Sequence, residues 1–375
     1  MRRPSALILT ARYGSGHIQA AKVIASELQN QGFQPVISDL FGESYPAISK
    51  FTQSLLIKSF NNGPYFYKWF YYGTNKINSK GLAQFSCFLG RKRLMQLIAG
   101  HRPQFVISTF PLHSAPFLIN KYNESIPVYT VITDYCVHPY WINPLIDHYF
   151  VSCDSVKSGL LKQNVSEKQV TVSGIPIRAD FEKRMDTGAV FQKHELSPYK
   201  KVVTILAGAQ GVLKNVKELC LALLQNPSVQ VIAVCGKNRN LYEKLLPLIY
   251  VFPGTFRLFA YTEDIQELFA ISHCLVTKPG GITVTEAASL KLPLILYKPV
   301  PGQEAENARH FAEKGAALVS HTLVDTIDHV QRVSRNEELA NSMKWALQQI
   351  HKAHSAKTIT DYAIQQTHMA SDIPG

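Results

Sequence analysis

The sequence predicts an α/β protein with two similar domains, each a parallel sheet covered by helices, that face each other across a cleft. Short apolar runs alternate with longer amphipathic segments, which is the pattern of strands joined by helices. Several apolar runs end in glycine turns, and the alternation restarts near residue 202 after a Gly-Ile-Pro segment at residues 174–176. A chain of 375 residues is also longer than a single hydrophobic core usually supports, which favours two domains.

Four elements open the N-terminal half: a strand, a glycine turn, a helix and a second strand, at residues 6–9, 13–17, 18–29 and 34–38. This order, followed by Asp39, is that of a dinucleotide-binding domain. The fingerprint of that domain fails at its third small residue, because Gln19 stands where glycine or alanine is required. We therefore expect the turn to serve another purpose.

The remaining elements continue the alternation. In the N-terminal half we predict strands at residues 105–108, 128–132, 149–151 and 170–177, and a helix near 157–163. In the C-terminal half we predict strands at residues 202–206, 229–234, 274–276 and 292–297, and helices at 216–224, 283–290, from 303 onward and within 336–366. The predicted domains are residues 1–177, residues 178–340 and a helical tail at 341–375, whose return to the N-terminal domain stays open.

The formal net charge of +12 is concentrated in one segment. Between Ser44 and Arg102 there is no acidic residue, and nine basic residues contribute +9: Lys50, Lys58, Lys68, Lys76, Lys80, Arg91, Lys92, Arg93 and Arg102. An aromatic run at residues 65–72 surrounds one of these lysines. Basic and aromatic side chains together suit an anionic membrane surface, although single-stranded nucleic acid, or a core helix with a solvated basic face, fits the same composition. We predict a membrane surface and no nucleic acid, with these contact residues: Lys68, Trp69, Phe70, Tyr71, Arg91, Lys92 and Arg93.

The rest of the composition indicates a folded protein without membrane spans. Hydrophobic residues make up 46% and charged residues 18% of the chain, which excludes a disordered protein. The six cysteines are scattered without a Cys-x-x-Cys pair, which indicates reduced thiols and a cytosolic location. The apolar run at residues 6–9 is too short for a secretory leader, and residues 103–120 contain three prolines, so neither predicts a leader or a span.

Residues 278–288 form the most informative motif, in which a strand, a glycine turn and a helix follow one another. Gly280 and Gly281 let the backbone approach a ligand, and the helix start offers unpaired N–H groups and a partial positive charge, which suit a phosphate. Glu286 lies about one turn into the helix, within reach of a ribose diol. A nucleotide is the expected ligand; a plain turn with Glu286 in water is the alternative that this motif alone leaves open.

A second polar loop follows the next predicted strand. Gln303, Glu304 and Asn307 open a helix there, and Gln303 and Asn307 share one face of it. Ligands of open α/β sheets lie where strand ends meet helix starts. Two such loops in succession therefore predict a binding site.

His17 is the candidate catalytic residue of the N-terminal half. It follows Gly14 and Gly16 at the first turn of a helix, where the helix dipole lowers the pKa of an imidazole and keeps the ring neutral. A neutral imidazole suits a general base. The alternative is a histidine that only caps the turn.

A metal site is not expected. Asp134, His138, Asp147 and His148 are ligand types, but two intervening prolines prevent a helix that would hold them at fixed spacing. No further close pair completes a coordination set.

Five motifs occur in the order found in the processive diacylglycerol β-glucosyltransferases, which the chain resembles over most of its length. They are Gly14-Ser15-Gly16-His17, Thr133-Asp134 with His138-Pro139, Gly174-Ile175-Pro176-Ile177-Arg178, Lys278-Pro279-Gly280-Gly281 with Thr285-Glu286-Ala287, and Pro301-Gly302-Gln303-Glu304 with Glu306-Asn307-Ala308. The family is similar to the plant monogalactosyldiacylglycerol synthases and, more distantly, to the N-acetylglucosaminyl transferase of peptidoglycan lipid synthesis. Each motif alone is weak, whereas five in order are specific.

The resemblance implies a GT-B fold of two Rossmann-like domains, in which the N-terminal domain binds a lipid acceptor and the C-terminal domain binds UDP-glucose. It implies inversion at the anomeric carbon, giving β-glucosyl diacylglycerol and then longer glucosyl chains. The implied product is a membrane glycolipid or lipoteichoic acid anchor, made by a peripheral enzyme on the cytoplasmic face of the cell membrane. The implied partners are UDP-glucose, diacylglycerol, glucosyl-diacylglycerol and an anionic membrane surface.

The functional residues of the family are carried over by motif. His17 matches its base and Glu286 its ribose ligand. The donor-binding set is Gly16, Gly208, Gly211, Lys278, Gly280, Gly281, Thr283, Glu286, Gln303, Glu304 and Asn307, and Asp134 and His138 join the acceptor set. The segment at residues 208–211 departs from the consecutive glycines of many relatives.

No Asp-x-Asp motif occurs, so we expect the helix start at residues 281–283, helped by Lys278 or Lys214, to stabilise the charge left on UDP without a metal or other cofactor. A UDP-galactose-dependent synthase, a soluble transferase for a small or peptidoglycan acceptor, and a non-enzymatic sensor of UDP-glucose remain as alternatives.

Overall fold

The computed structural model describes residues 3–12, 15–47, 90–122, 124–207 and 213–371. The chain divides into two compact units. Unit 1 comprises Met1–Arg178 and Lys352–Gly375, and unit 2 comprises Ala179–His351. Within the described ranges, no helix is long and apolar enough to cross a bilayer.

Unit 1 contains a six-stranded parallel sheet in the order β2-β1-β3-β4-β5-β6. Its strands are β1 (Ser5–Thr10), β2 (Gln34–Asp39), β3 (Val106–Ser108), β4 (Val128–Val131), β5 (His148–Val151) and β6 (Val170–Val172). The first helices are α1 (Ser15–Asn30), α2 (Leu40–Ser44), α3 (Arg91–His101), α4 (Ser114–Lys121) and α5 (Asp154–Leu161).

Both faces of this sheet are buried, which explains the continuous apolar run of β1. Successive side chains of a strand point to opposite faces. Ile8 accordingly packs in one cluster with Ile24 of α1, whereas Leu9 packs in another with Leu94 of α3 and Leu118 of α4.

Unit 2 contains the second six-stranded parallel sheet, in the order β12-β11-β10-β7-β8-β9. Its strands are β7 (Lys201–Leu206), β8 (Val229–Val234), β9 (Phe256–Phe259), β10 (Cys274–Thr277), β11 (Leu294–Tyr297) and β12 (Ala317–Ser320). Its helices are α6 (Thr187–Lys193), α7 (Val216–Leu224), α8 (Arg239–Leu245), α9 (Pro247–Val251), α10 (Ile265–Ala270), α11 (Gly281–Ser289), α12 (Gln303–Glu313), α13 (Leu323–Arg335) and α14 (Glu337–Ile350).

The last helix, α15 (Ser355–Ser371), belongs to unit 1 and packs against α1. Ile359 and Ala363 are buried in the same cluster as Ile24. Tyr362 stacks on the ring of His148, with ring centroids 4.1 Å apart, and its hydroxyl lies 2.9 Å from His148 Nδ1. The C-terminal helix is thus part of the unit 1 core.

The predicted α/β class with two Rossmann-like domains is confirmed by the two parallel sheets. Two strands escaped the sequence prediction, β9 and β12, because both are short edge strands. The helical pattern at residues 336–366 is divided between α14 and α15, and His354 at the break has a φ of 56°. The strand predicted at 170–177 ends at Val172, before Gly174 with a φ of 81°.

The strand order reverses at one point in each sheet, between β1 and β3 in unit 1 and between β7 and β10 in unit 2. In open α/β sheets, ligands bind outside the carboxyl ends of the strands at such a switch point. The loop after β1 leads to His17, and the loop after β10 leads to Gly280. Both candidate motifs therefore lie at the switch point of their own sheet.

Candidate active site

The loop between β10 and α11 presents open backbone at a helix start. Gly280 precedes α11 and is exposed, and no atom of the described residues lies within 4 Å of the position that a Cβ would occupy. The first N–H groups of a helix have no acceptor within the helix and carry partial positive charge. The arrangement at Gly280, Gly281 and Thr283 is therefore suited to a phosphate.

Glu286 lies on α11 after this start and is 8% exposed. Thr283 is half-buried, and the hydroxyl of Thr285 donates to the carbonyl of Gly281 at 2.7 Å, within the helix. A buried carboxylate needs hydrogen-bond donors. Glu286 is thus a buried side chain near the helix start, and the alternative that it faces water does not hold.

The second loop is tied to the first by side chains of α12. Glu304 Oε2 accepts from the backbone N–H of Val300 at 2.9 Å and lies 3.4 Å from Lys278 Nζ. Asn307 is 1% exposed, and its Nδ2 donates to the carbonyl of Pro279 at 3.1 Å. These contacts, which the sequence analysis missed, fix the two loops relative to each other.

The other residues of the predicted donor-binding set differ in their surroundings. Lys278 is ion-paired with Glu304, which offsets part of the charge that it would offer to UDP. Gln303 is half-buried at the first position of α12, directly after Gly302 with a φ of 103°. Gly16 is half-buried in the first turn of α1, and Lys214 is exposed. Gly208 and Gly211 lie outside the described residues.

His17 is held at the switch point of unit 1 by atoms from two other strand ends. Its Nδ1 lies 2.8 Å from the backbone oxygen of Thr109 and 2.9 Å from the hydroxyl of Thr133. The hydroxyl of Thr109 in turn donates to the backbone oxygen of His17 at 3.0 Å. Because a carbonyl only accepts, Nδ1 carries the proton, and Nε2 of the neutral ring keeps a free lone pair.

Burial lowers the pKa of His17 to about 4, and the hydrogen bond to the Thr109 carbonyl opposes this shift. Desolvation thus favours a neutral ring, a cause that the sequence analysis, which invoked the helix dipole, did not consider. Phe110 packs edge-on at 5.1 Å and Trp141 lies at 6.2 Å, as measured between ring centroids. His17 as a whole residue is half-buried.

The predicted acceptor residues Asp134 and His138 follow β4. Asp134 is 2% exposed, and the Ser152 hydroxyl donates to its backbone oxygen at 2.6 Å. His138 is half-buried, and its Nδ1 accepts from the backbone N–H of Tyr140 at 3.1 Å. Asp134 is therefore an interior residue near the same strand ends as Thr133.

The predicted membrane residues are only partly described. Arg91 and Lys92 are exposed at the start of α3, and Arg93 is ion-paired with Glu43 at 2.7 Å. The others lie outside the described residues: Lys68, Trp69, Phe70 and Tyr71.

In the part of the chain that the structure describes, no three His, Cys, Asp or Glu side chains are grouped as a metal would require. Asp147 accepts from the backbone N–H of Val128 at 2.7 Å. His148 contacts Thr171 and Tyr362. These two side chains serve contacts within the fold.

The chain matches two family models in succession. Residues 17–177 match monogalactosyldiacylglycerol (MGDG) synthase, and residues 202–364 match the glycosyltransferase family 28 C-terminal domain. The chain is 44% identical over 367 residues to the processive diacylglycerol beta-glucosyltransferase of Bacillus pumilus, covering 98% of this chain and 96% of that protein. It is 43% identical over 362 residues to the protein of the same name from Bacillus licheniformis, covering 96% and 94%.

Solved structures with similar architecture share far less sequence. MurG of Acinetobacter baumannii gives a TM-score of 0.65 at 16% identity, over 96% of this chain and 100% of that one. Anabaena Alr3699/HepE, solved with UDP-glucose, gives 0.55 at 13% identity, over 96% and 99%. These likenesses show the fold, a GT-B fold of two Rossmann-like units. The near-full-length identity to the Bacillus proteins shows the family, and the chain belongs to the processive diacylglycerol β-glucosyltransferases.

Proposed function

We propose that this glycosyltransferase moves glucose from UDP-glucose to diacylglycerol with inversion, and then to glucosyl-diacylglycerol. The observation that carries the proposal is the state of His17, a neutral imidazole whose Nδ1 is committed to the Thr109 carbonyl. Its Nε2 is then the one basic atom of the ring. A sensor that only binds UDP-glucose has no need of such a base.

The transfer is a single displacement. The acceptor hydroxyl oxygen forms a bond to the anomeric carbon of glucose as the bond from that carbon to the UDP oxygen breaks. The proton of the hydroxyl passes to Nε2 of His17, and UDP leaves with the electron pair of the broken bond. Attack opposite the leaving group inverts the anomeric configuration, which yields a β-glucoside from an α-linked donor.

Unit 2 supplies the donor site in this proposal. The N–H groups at the start of α11 receive the diphosphate and stabilise the charge that develops on UDP. Glu286 accepts hydrogen bonds from the ribose hydroxyls. Gln303 contacts the glucose, while Glu304 and Asn307 hold the two loops together around it, since each already bonds to backbone of those loops.

We further propose that the enzyme works as a peripheral protein on the cytoplasmic face of the membrane, where its product is a glycolipid or lipoteichoic acid anchor. Support comes from the nine basic residues without an acid between Ser44 and Arg102. Each basic residue near an anionic surface contributes about 1 kcal/mol, so half of them provide roughly 4–5 kcal/mol. Salt should weaken this attraction, which is screened beyond about 8 Å at physiological ionic strength.

Cosedimentation with vesicles tests the membrane proposal. We expect binding to anionic vesicles at low salt that fades as salt rises. Trp69→Ala combined with Phe70→Ala should reduce binding even to neutral vesicles, because aromatic side chains act at the interface without charge. Protein that stays in the supernatant with anionic vesicles at low salt would contradict the proposal.

Diacylglycerol vesicles incubated separately with UDP-glucose and UDP-galactose test the reaction. We expect mono- and oligoglucosyl products by mass spectrometry, with β linkages by NMR, and little product from UDP-galactose. His17→Gln should bind UDP normally but transfer slowly, whereas His321→Gln, an exposed histidine, is the matched control. Product from UDP-galactose alone would replace the proposed donor, and UDP-glucose binding without any transfer would favour a sensor.

A further inference from the structure

A pocket lies at the amino-terminal ends of the strands of the unit 1 sheet. His17 lies at the opposite, carboxyl-terminal ends of these strands. Its volume is about 190 Å³. Ser5 and Gln34, the first residues of β1 and β2, line it together with Gln104 and Arg102, which lie between α3 and β3. Their backbones are fixed by the sheet, since the N–H of Gln104 donates to the carbonyl of Ser5 at 2.8 Å.

The side chains around this pocket are basic. Arg3, Arg102 and His101 line it, and no carboxylate does. An arginine keeps its charge at any physiological pH and offers several N–H donors. Neither guanidinium has an ion pair or hydrogen-bond partner in the described part of the chain. The pocket therefore holds positive charge that the protein itself does not neutralise.

The hydroxyl of Ser5 is a second, independent observation that points to a ligand. The residue is 8% exposed, and its hydroxyl oxygen is buried without a hydrogen-bond partner among the residues that the structure describes. A buried hydroxyl without a partner destabilises the fold, and native structures leave few of them. An acceptor atom bound in the pocket would satisfy it.

We propose that this pocket binds an oxyanion of the phosphate class, with Arg3 and Arg102 supplying the charge and the Ser5 hydroxyl donating a hydrogen bond. The volume fits a phosphate group and falls below the roughly 300 Å³ at which pockets begin to hold larger ligands. Inorganic phosphate and the phosphate headgroup of a lipid share this chemistry. Within unit 1 the pocket lies at the opposite strand ends from His17, so it does not depend on the proposed reaction.

Calorimetry of the full chain with inorganic phosphate tests the free-ion source. Chloride keeps the ionic strength constant, so that screening does not change during the titration. We expect saturable binding that Arg102→Gln weakens about tenfold, the effect of losing one hydrogen bond to a charged group. Arg184→Gln, an exposed arginine of unit 2, should leave the affinity unchanged.

Vesicles of phosphatidylcholine with and without phosphatidic acid test the lipid source. If the headgroup is the ligand, Arg102→Gln weakens binding to phosphatidic acid vesicles more than Arg184→Gln does, and also more than Lys92→Gln, which removes an exposed charge of the same basic segment. Ser5→Ala separates ligand binding from folding, because it should keep or raise the melting temperature and still weaken binding to phosphate or to the headgroup. If Arg102→Gln and Arg184→Gln behave alike with both probes, the proposal is overturned.

Discussion

The transfer reaction should survive acidic conditions that protonate an ordinary histidine. Burial lowers the pKa of His17 from 6.5 to about 4, and only the neutral ring accepts a proton from the acceptor hydroxyl. At pH 5 about nine-tenths of the His17 rings are then neutral, compared with about 3% at an unperturbed pKa. The difference between the two cases is about thirtyfold in kcat/KM at that pH.

The pH profile of kcat/KM, measured with diacylglycerol vesicles and UDP-glucose, checks this prediction. We expect a flat profile between about pH 5.5 and 8 as far as His17 is concerned, and an acid limb near pH 4. His17→Gln should lower the rate by about a hundred- to ten-thousandfold, with UDP affinity unchanged. Thr133→Val should have a small effect, because the Thr109 carbonyl still fixes the proton on Nδ1.

Two results would refute the reasoning. An acid limb near pH 6.5 that His17→Gln abolishes would mean that the ring is not desolvated during turnover. Near-normal turnover of His17→Gln would mean that the histidine only shapes the turn. The exposed His321→Gln variant controls for effects of histidine replacement in general.

Glu286→Ala should weaken UDP binding by about ten- to a hundredfold in calorimetry, the loss of a hydrogen bond to a charged group, and an unchanged affinity would contradict a ribose contact. Glu304→Gln should weaken the binding of UDP and of UDP-glucose equally, because the Glu304 carboxylate bridges the two loops. Gln303→Ala should weaken the binding of UDP-glucose alone. The reverse pattern would place Glu304 at the sugar. Burial lowers the pKa of His148 to about 4, so its ring stays neutral in the folded protein. In the unfolded chain the same ring takes up a proton below about pH 6.5. The free energy of unfolding therefore falls as the pH drops from about 6.5 towards 4. His148→Phe should remove about 2 kcal/mol of that fall between pH 7.5 and 5 in denaturant unfolding, and an identical pH dependence would exclude His148 as its source.

The sequence predicted those strands and turns that the residue pattern of a single segment determines. Strands such as β7 and β8 are mostly apolar because helices cover both faces of the sheet, and glycine turns mark where they end. The short edge strand β9 contains Arg257, whose guanidinium bonds to the carbonyl of His194, so its pattern is not that of a buried strand. The pattern of residues in a segment reports its burial, and edge strands are only partly buried.

The support of the candidate site could not be predicted in the same way. Thr109 and Thr133 are 92 and 116 residues from His17, and no local signal pairs residues so far apart. The same holds for the bond from Asn307 to Pro279, which spans 28 residues. The sequence analysis therefore named candidate groups but not the contacts that orient them, and it did not foresee the burial that lowers the pKa of His17.

The start of α1, at His17, and the start of α11, at Gly280, have different proposed roles, and their surroundings differ accordingly. The base proposed at His17 must be neutral at working pH, and burial beside the ring of Phe110 favours the uncharged imidazole by removing it from water. The diphosphate proposed at α11 needs accessible N–H groups, and the exposed Gly280 there has no atom of the described residues within 4 Å of its Cβ position. We expect a side chain at Gly280 to cover those N–H groups without a clash, because its Cβ position is open in the part of the chain that the structure describes. Gly280→Val should therefore weaken UDP binding while leaving the melting temperature nearly unchanged. If Gly280→Val instead lowers the melting temperature clearly, Gly280 is needed for the turn itself and not for the ligand.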